Sequence, residues 1–379
     1  MRASRLAVAA LFLVNGALFG NWVSRIPAVQ ERIGMSEGLL GLALLGLALG
    51  ALFSMPLTGW LVSRVGSRGV TAVAVFGFAL ALPLVALPGS FGALVAALLL
   101  LGATHGALDV SMNSQGAEIE KLYDRPIMNS FHAMFSFGGL IGAGGGGVLA
   151  ALGVGVGAHF VGVAVVFGLV AVIASRYLLH SEPAAGRGEP AFVRPNRALV
   201  WLGVMAFCVL VGEGAMADWS AVYLSGNLGT GPGLAAAGYA AFSLMMAIGR
   251  LTGDRLNELF GAVALVRSGG LLAAAGLSLT LLTGSSALAL VGFGLVGAGF
   301  SIVFPIVLST AAGAPGMAPG AAIAAMSSTG YFGFLIGPPL IGFVAELITL
   351  QGALFLIVLS SLAVAALARN ADPKALARL

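Results

Sequence analysis

The stretch Gly102–Phe137, GATHGALDVSMNSQGAEIEKLYDRPIMNSFHAMFSF, is two apolar segments joined by a short charged loop. The first segment carries Asp109 and Asn113; the second carries Asn129 and His132 near its start. Both segments are apolar enough to cross a bilayer, where a charged side chain at a helix centre costs about 2.5–3.5 kcal/mol. A group kept there at that cost points to an ion path or a solute site. The expected fold follows: membrane helices packed around a polar interior.

Working outward, composition supports the same class. Of 379 residues, 59% are hydrophobic and 8% are charged. A soluble domain carries about 25% charged residues, so this chain has too little polar surface to dissolve. Its one cysteine, Cys208, lies in an apolar segment and excludes a disulfide framework or a Cys-based metal site. The net charge of +4 comes from basic residues in the short gaps between apolar runs, a topology signal rather than a nucleic-acid patch. The first apolar run follows Arg2 and Arg5 as a signal peptide would. It is too long and lacks a small-residue cleavage site, so it reads as a retained helix.

A span needs about 20 mostly apolar residues. Twelve such runs are present, at roughly 5–26, 37–62, 70–88, 91–117, 129–153, 156–178, 198–224, 234–253, 260–283, 286–310, 320–347 and 350–369. The longest polar interval, HSEPAAGRGEPAFVRPNR, separates the sixth run from the seventh. With both termini cytoplasmic, 16 of the 18 basic residues fall on the cytoplasmic side, and Arg25 and Arg32 alone face outward. The halves also repeat. Phe137-Gly-Gly-Leu-Ile-Gly142 matches Phe332-Gly-Phe-Leu-Ile-Gly337 at an offset of 195 (332 − 137), and Asn21-Trp22 matches Asp218-Trp219 at 197 (218 − 21). The expected fold is therefore an all-α membrane protein, with twelve transmembrane helices in two pseudo-symmetric six-helix bundles. Residues 1–179 form one bundle, 180–197 a cytoplasmic linker, and 198–379 the other. Parallel repeats of this kind place a solute site near the midplane between them.

Two motifs make a resemblance specific. Gly59-Trp-Leu-Val-Ser-Arg64-Val-Gly-Ser-Arg68 follows the second run, and Gly249-Arg-Leu-Thr-Gly-Asp254-Arg255 follows the eighth. They resemble the loop 2–3 and loop 8–9 signatures of the major facilitator superfamily, with Ser63 where the first copy usually has an acid. The resemblance implies that Arg64, Arg68, Asp254 and Arg255 gate the cytoplasmic side, and that helices one, four, seven and ten line the cavity. Asp109 with Asn113 four residues on, and Asn129 opening the fifth run, look most like the fucose-permease-like and MosC-like branch. His132 stands where that branch usually has Gln.

Asp109 and Asn113 share one helix face. Asp109 is expected about five residues past the centre of its span, and His132 about nine before the centre of its own, both displaced toward the cytoplasm. We expect Asp109 to carry the coupling proton with His132 as its partner. Glu213, almost central in the seventh run, is a further candidate for proton coupling and for solute contact. Asn21, Trp22, Arg25, Asn113, Asn129, Asp218 and Trp219 are the substrate-binding candidates, with Trp22 able to stack on a sugar ring and Arg25 placed near an outer gate. His105 is expected to be a core histidine. The acids Glu118, Glu120 and Asp124 read as a solvated loop, and the GAGGGG run Gly142–Gly147 as helix packing.

The function expected is secondary active transport of a small polar solute (sugar, cyclitol or amino-polyol) by proton symport and rocker-switch alternating access. The alternative is proton-driven efflux of drugs or metabolites. No nucleotide-binding loop is present, which excludes ATP-driven pumping, and no loop carries an enzyme's cluster of catalytic groups. No cofactor or metal is expected. The expected partners are the solute, protons and the lipid bilayer, with no nucleic acid, for a monomer in a bacterial inner membrane.

Overall fold

The computed structural model describes residues 2–123, 127–180, 199–314, 317 and 319–372. Among these there is no strand, and twelve helices are long and apolar enough to cross a membrane. They are α1 (Arg2–Ile33), α2 (Glu37–Val65), α3 (Ser67–Leu84), α4 (Phe91–Tyr123), α5 (Met128–Ala151) and α6 (Val156–Arg176). After them come α7 (Val200–Gly226), α8 (Pro232–Phe260), α9 (Ala262–Thr283), α10 (Ser286–Ala312), α11 (Pro319–Leu347) and α12 (Leu350–Leu367). Apart from His180, the linker interval 180–197 lies outside the described residues, as do Asp124 and Arg125.

Each apolar run became a helix, but several helices outlast their runs. Polar residues at a membrane helix end reach the headgroup region while the backbone keeps its own hydrogen bonds, so hydropathy stops before the helix does. α1 continues through Arg25 and Pro27 to Ile33, α4 runs to Tyr123, and α8 runs to Phe260. The two motif loops are consequently mostly helix. Arg64 is in the last turn of α2, Arg68 is in the first turn of α3, and Arg250, Asp254 and Arg255 all lie within α8.

What joins these helices is a single glycine in each case. Gly66 (φ 81°, ψ 160°) links α2 to α3, and Gly261 (φ 77°, ψ 157°) links α8 to α9. Both lie in a region that is essentially closed to other residues. Their amides close onto the carbonyls of Val62 and Asn257. The two positions are 195 apart (261 − 66). Gly34 and Gly229, at φ 72° and 62°, share the same offset. The sequence repeat is thus also a repeat of backbone conformation.

The tenth span is not continuous: a turn at Ser301–Ile302 divides it into Ser286–Phe300 and Val303–Ala312. Pro305 has no N–H to give to the carbonyl of Ser301, so the ladder fails there. α8 accommodates the turn with its motif glycines: a Cβ on Gly249 would overlap Ser301 Oγ, and one on Gly253 would overlap Ile302 Cγ2.

Within the first six helices α1 packs on α5, α2 on α4, and α3 on α4 and α6; within the last six α9 packs on α10 and α12, and α7 on α11. Two principal interfaces join these sets, α5 against α8 and α2 against α11. Toward the end opposite the termini, Gly41 meets the backbone of Pro338, Gly342 meets Glu37, and Gly147 meets Gly233. Small residues let membrane helices approach this closely. In the GAGGGG run, Gly142, Gly146 and Gly147 make such contacts, whereas Gly144 and Gly145 face open space.

Candidate functional site

α4 is longer than its apolar run, and this moves Asp109 to two residues from the helix midpoint, residue 107. Tyr331 lies two residues from the midpoint of α11, residue 333. At that shared depth the Tyr331 hydroxyl donates to Asp109 Oδ2 at 3.1 Å. Asn113 Nδ2 donates to Asp109 Oδ1 at 3.1 Å and to its backbone carbonyl at 2.8 Å. Asp109 therefore joins a helix of the first six to a helix of the last six.

His132 is not part of this contact. It sits about two turns from the midpoint of α5, closer to its helix end than Asp109 is on α4, and no hydrogen bond joins the two among the described residues. The His132 ring packs edge-on against Phe12, with centroids 5.3 Å apart.

A second polar contact surrounds Glu213, at the midpoint of α7. Its Oε2 lies 3.5 Å from Arg250 Nη2, with the two side chains 14% and 15% exposed. Arg250 Nη1 also donates to Ser136 Oγ at 3.0 Å and to the His132 carbonyl at 3.4 Å. Arg250 fits the positive-inside count, yet it turns inward and ties α7 and α8 to α5. Glu213 Oε1 is buried without a hydrogen-bond partner. Asp218, five residues further along α7, is partly exposed and makes no hydrogen bond among the described residues.

Three substrate-binding candidates in α1 are placed elsewhere. Trp22 is 1% exposed inside the core. Asn21 Nδ2 donates to the Ala17 carbonyl at 2.7 Å, and its Oδ1 lies 2.7 Å from His159 Nε2. Arg25 Nε donates to His159 Nδ1 at 2.8 Å, and Nη2 donates to the Val154 carbonyl at 2.8 Å. The chain Arg25–His159–Asn21 is a buried staple of α1 to α6, so an outer-gate role for Arg25 is not what this geometry provides. Trp219 is likewise fully buried, and its Nε1 has no partner.

At the end carrying the termini, Asn129 Nδ2 donates to Asp254 Oδ1 at 2.7 Å, bridging α5 and α8. Asn129 belongs with the end-face contacts rather than the midplane. The two residues border a pocket of about 230 Å³ with Arg5, Ser130 and Arg250. The arginines expected to latch beside Asp254 have other partners. Arg64 lies over the Trp60 ring at 5.5 Å, and Arg68 donates to His180 Nδ1 at 2.8 Å and to the Arg176 carbonyl at 3.3 Å. Arg255 is exposed and has no partner among the described residues. Ser63, in the place of the family's acid, bonds only to the Trp60 carbonyl, so the first copy offers no carboxylate to latch. The acids at the end of α4 are not simply solvated. Glu120 Oε2 accepts from the amides of Ile127 and Met128 at 2.7 and 2.8 Å, capping α5, and Glu118 accepts from Ser67 at 3.2 Å.

Tyr331, Arg250 and His159 are the residues that sequence reasoning missed. Tyr331 left only a weak trace, the one tyrosine of its apolar run, just after the hydroxyls Ser327, Ser328 and Thr329. Arg250 was hidden by its place in a basic motif, and His159 by its closeness to a helix start. Among the described residues no three His, Cys, Asp or Glu side chains gather as a metal site.

Comparison with known proteins agrees with this architecture. The chain is 37% identical over 360 residues to an uncharacterised MFS-type transporter of Yersinia pestis, covering 94% of this chain and 93% of the relative. It is 33% identical over 356 residues to membrane protein MosC of Rhizobium meliloti, covering 93% and 86%. The nucleoside transporter NupG superposes with a TM-score of 0.75 at 14% identity, covering 98% of this chain and 99% of that one. The E. coli fucose:proton symporter FucP superposes with a TM-score of 0.64 at 18% identity, covering 97% and 98%. Residues 7–319 match the Major Facilitator Superfamily model, and with two relatives above 30% identity along nearly the whole chain, the protein belongs to that superfamily of membrane transporters.

Proposed function

We propose that the protein is a proton-coupled symporter of a small polyhydroxylated solute, a sugar, cyclitol or amino-polyol, working by rocking of two six-helix halves. The halves are residues 1–179 and 198–379, joined by a cytoplasmic linker at 180–197. The observation that carries the reading is the hydrogen bond from Tyr331 to Asp109 at mid-depth. A proton on Asp109 removes the charge that strengthens this contact, so binding a proton changes how α4 holds α11. Coupling requires a differential interaction of this kind between two states. Glu213, paired with Arg250 and through it with α5, is a second candidate for the same task.

Solute chemistry is read from what the middle of the molecule leaves unspent. Glu213 Oε1 and Asp218 lack protein donors, and both are acceptors. Buried acceptors favour a solute that brings donors, because an unmatched polar group is costly. The names of NupG and FucP attach to solutes rich in hydroxyls, which is a fold-level analogy in the same direction. The site accordingly reads as Asp109 and Glu213 for the proton, Asn113 and Asp218 for the solute, and Asp254 with Asn129 for gating. The basic-residue count supports cytoplasmic termini, and the proposal takes the protein as a monomer in a bacterial inner membrane.

The test uses purified protein in liposomes holding a pH dye, with sugars, cyclitols, amino-polyols and cationic dyes added in turn. Acidification of the lumen by a polyol is the expected result. Alkalinisation by cationic dyes alone would overturn symport in favour of efflux.

A further inference from the structure

His105 was expected to be a satisfied core histidine, and one of its two nitrogens is not satisfied. Nδ1 lies 2.9 Å from Asn15 Oδ1, while Asn15 Nδ2 points to Met112 Sδ at 3.7 Å. With the amide oxygen turned to the ring, Nδ1 carries the hydrogen and Nε2 keeps its lone pair. Among the described residues nothing donates to Nε2, and His105 is partly exposed although Asn15 is 0% exposed.

The ring is also held in place. Phe19 of α1 stacks on it with centroids 5.4 Å apart and planes 19° apart, and Phe78 of α3 packs at 5.1 Å. Phe19 in turn meets Phe135 of α5 at 6.5 Å and Tyr239 of α8 at 6.3 Å, which puts this wall where α1, α4, α5 and α8 converge. His105 and Asp109 are four residues apart on one face of α4, both within two residues of its midpoint. A rigid, oriented acceptor therefore stands one turn from the candidate proton carrier.

We propose that His105 contacts the transported solute, its Nε2 accepting a hydrogen bond from a hydroxyl or amino group while Asn15 fixes the tautomer. The assignment deepens the transport reading above by naming a residue that selects for donor groups. The openness of Nε2 is testable with no solute at all.

Full-length protein in lipid nanodiscs is treated with diethyl pyrocarbonate, which acylates unprotonated and accessible imidazole nitrogens, and the histidines are read by peptide mass spectrometry. The expected pattern is modification of His105, with His159 spared because it is buried and both of its nitrogens are engaged. An unmodified His105 overturns the proposal whether or not the protein transports a polyol. His105→Phe then keeps the aromatic stack and removes the acceptor. With folding verified by thermal unfolding, its half-saturating concentration for the polyol that acidifies liposomes should rise about tenfold, the scale of one lost hydrogen bond. Maximal rate should hold, and His105→Gln should recover part of the affinity. An unchanged half-saturation in folded His105→Phe also overturns the proposal. A wild type that moves no polyol removes the symport reading and leaves the footprint to decide whether Nε2 is open.

Discussion

A proton on Asp109 alters two side-chain hydrogen bonds, one to Asn113 within α4 and one to Tyr331 across the molecule. Tyr331→Phe removes only the second. A hydrogen bond to a charged group contributes about 1.5–3 kcal/mol, so the variant should bind solute and exchange it while its accumulation ratio falls several-fold. Counterflow and gradient-driven uptake, measured side by side, check this; an unchanged ratio would remove Tyr331 from coupling. Arg25 and Arg32, the two basic residues expected to face outward, teach the opposite lesson. Arg25 donates to the Val154 carbonyl, and Arg32 Nη2 donates to the Pro88 carbonyl at 3.0 Å, so both are clamps on connecting segments rather than ligand groups. His159→Phe would leave Arg25 Nε and Asn21 Oδ1 unpaired, costing about 1–3 kcal/mol. The expected outcome is a lower thermal midpoint with the half-saturating solute concentration unchanged. An altered half-saturation would return Asn21 and Arg25 to the solute site.

Among elements, the single-glycine joints between α2 and α3 and between α8 and α9 carry the most constraint. Gly66→Ala and Gly261→Ala should each cost about 1–3 kcal/mol, from the backbone region they occupy. Gly59→Ala, in ordinary helix with nothing within 4 Å of its Cβ position, is the neutral control. Thermal unfolding in detergent measures all three, and equal effects would contradict the assignment. The helices themselves were legible in the sequence, because an apolar run long enough to span a bilayer has few alternatives. Their ends were not, since Arg25, Glu120 and Arg250 break the hydropathy signal without breaking the helix. The turn in α10 had a visible cause in Pro305, but the two glycines of α8 that receive it could be recognised only once the helices were side by side.

For the whole molecule, the repeat is legible in sequence and backbone, yet the chemistry is unequal between the two sets of helices. At the 195 offset from Asp109 stands Phe304, so the acid on α4 has no counterpart on α10. Asp109 and Asn113 were recognisable as a pair because they share one helix, whereas the link from Asp109 to Tyr331 crosses 222 positions and no local spacing joins them. The pairing of Asp109 with His132 was not resolved by depth along the helices, because partners are set by which face each side chain presents: His132 meets Phe12 and Asp109 meets Tyr331. The central claim is that Asp109 carries the proton, and it is tested most directly by Asp109→Asn in liposomes with an internal pH dye. Using a polyol that acidifies the wild-type lumen, the account predicts no acidification by the variant while counterflow of the labelled solute persists. Acidification undiminished from wild type would contradict it.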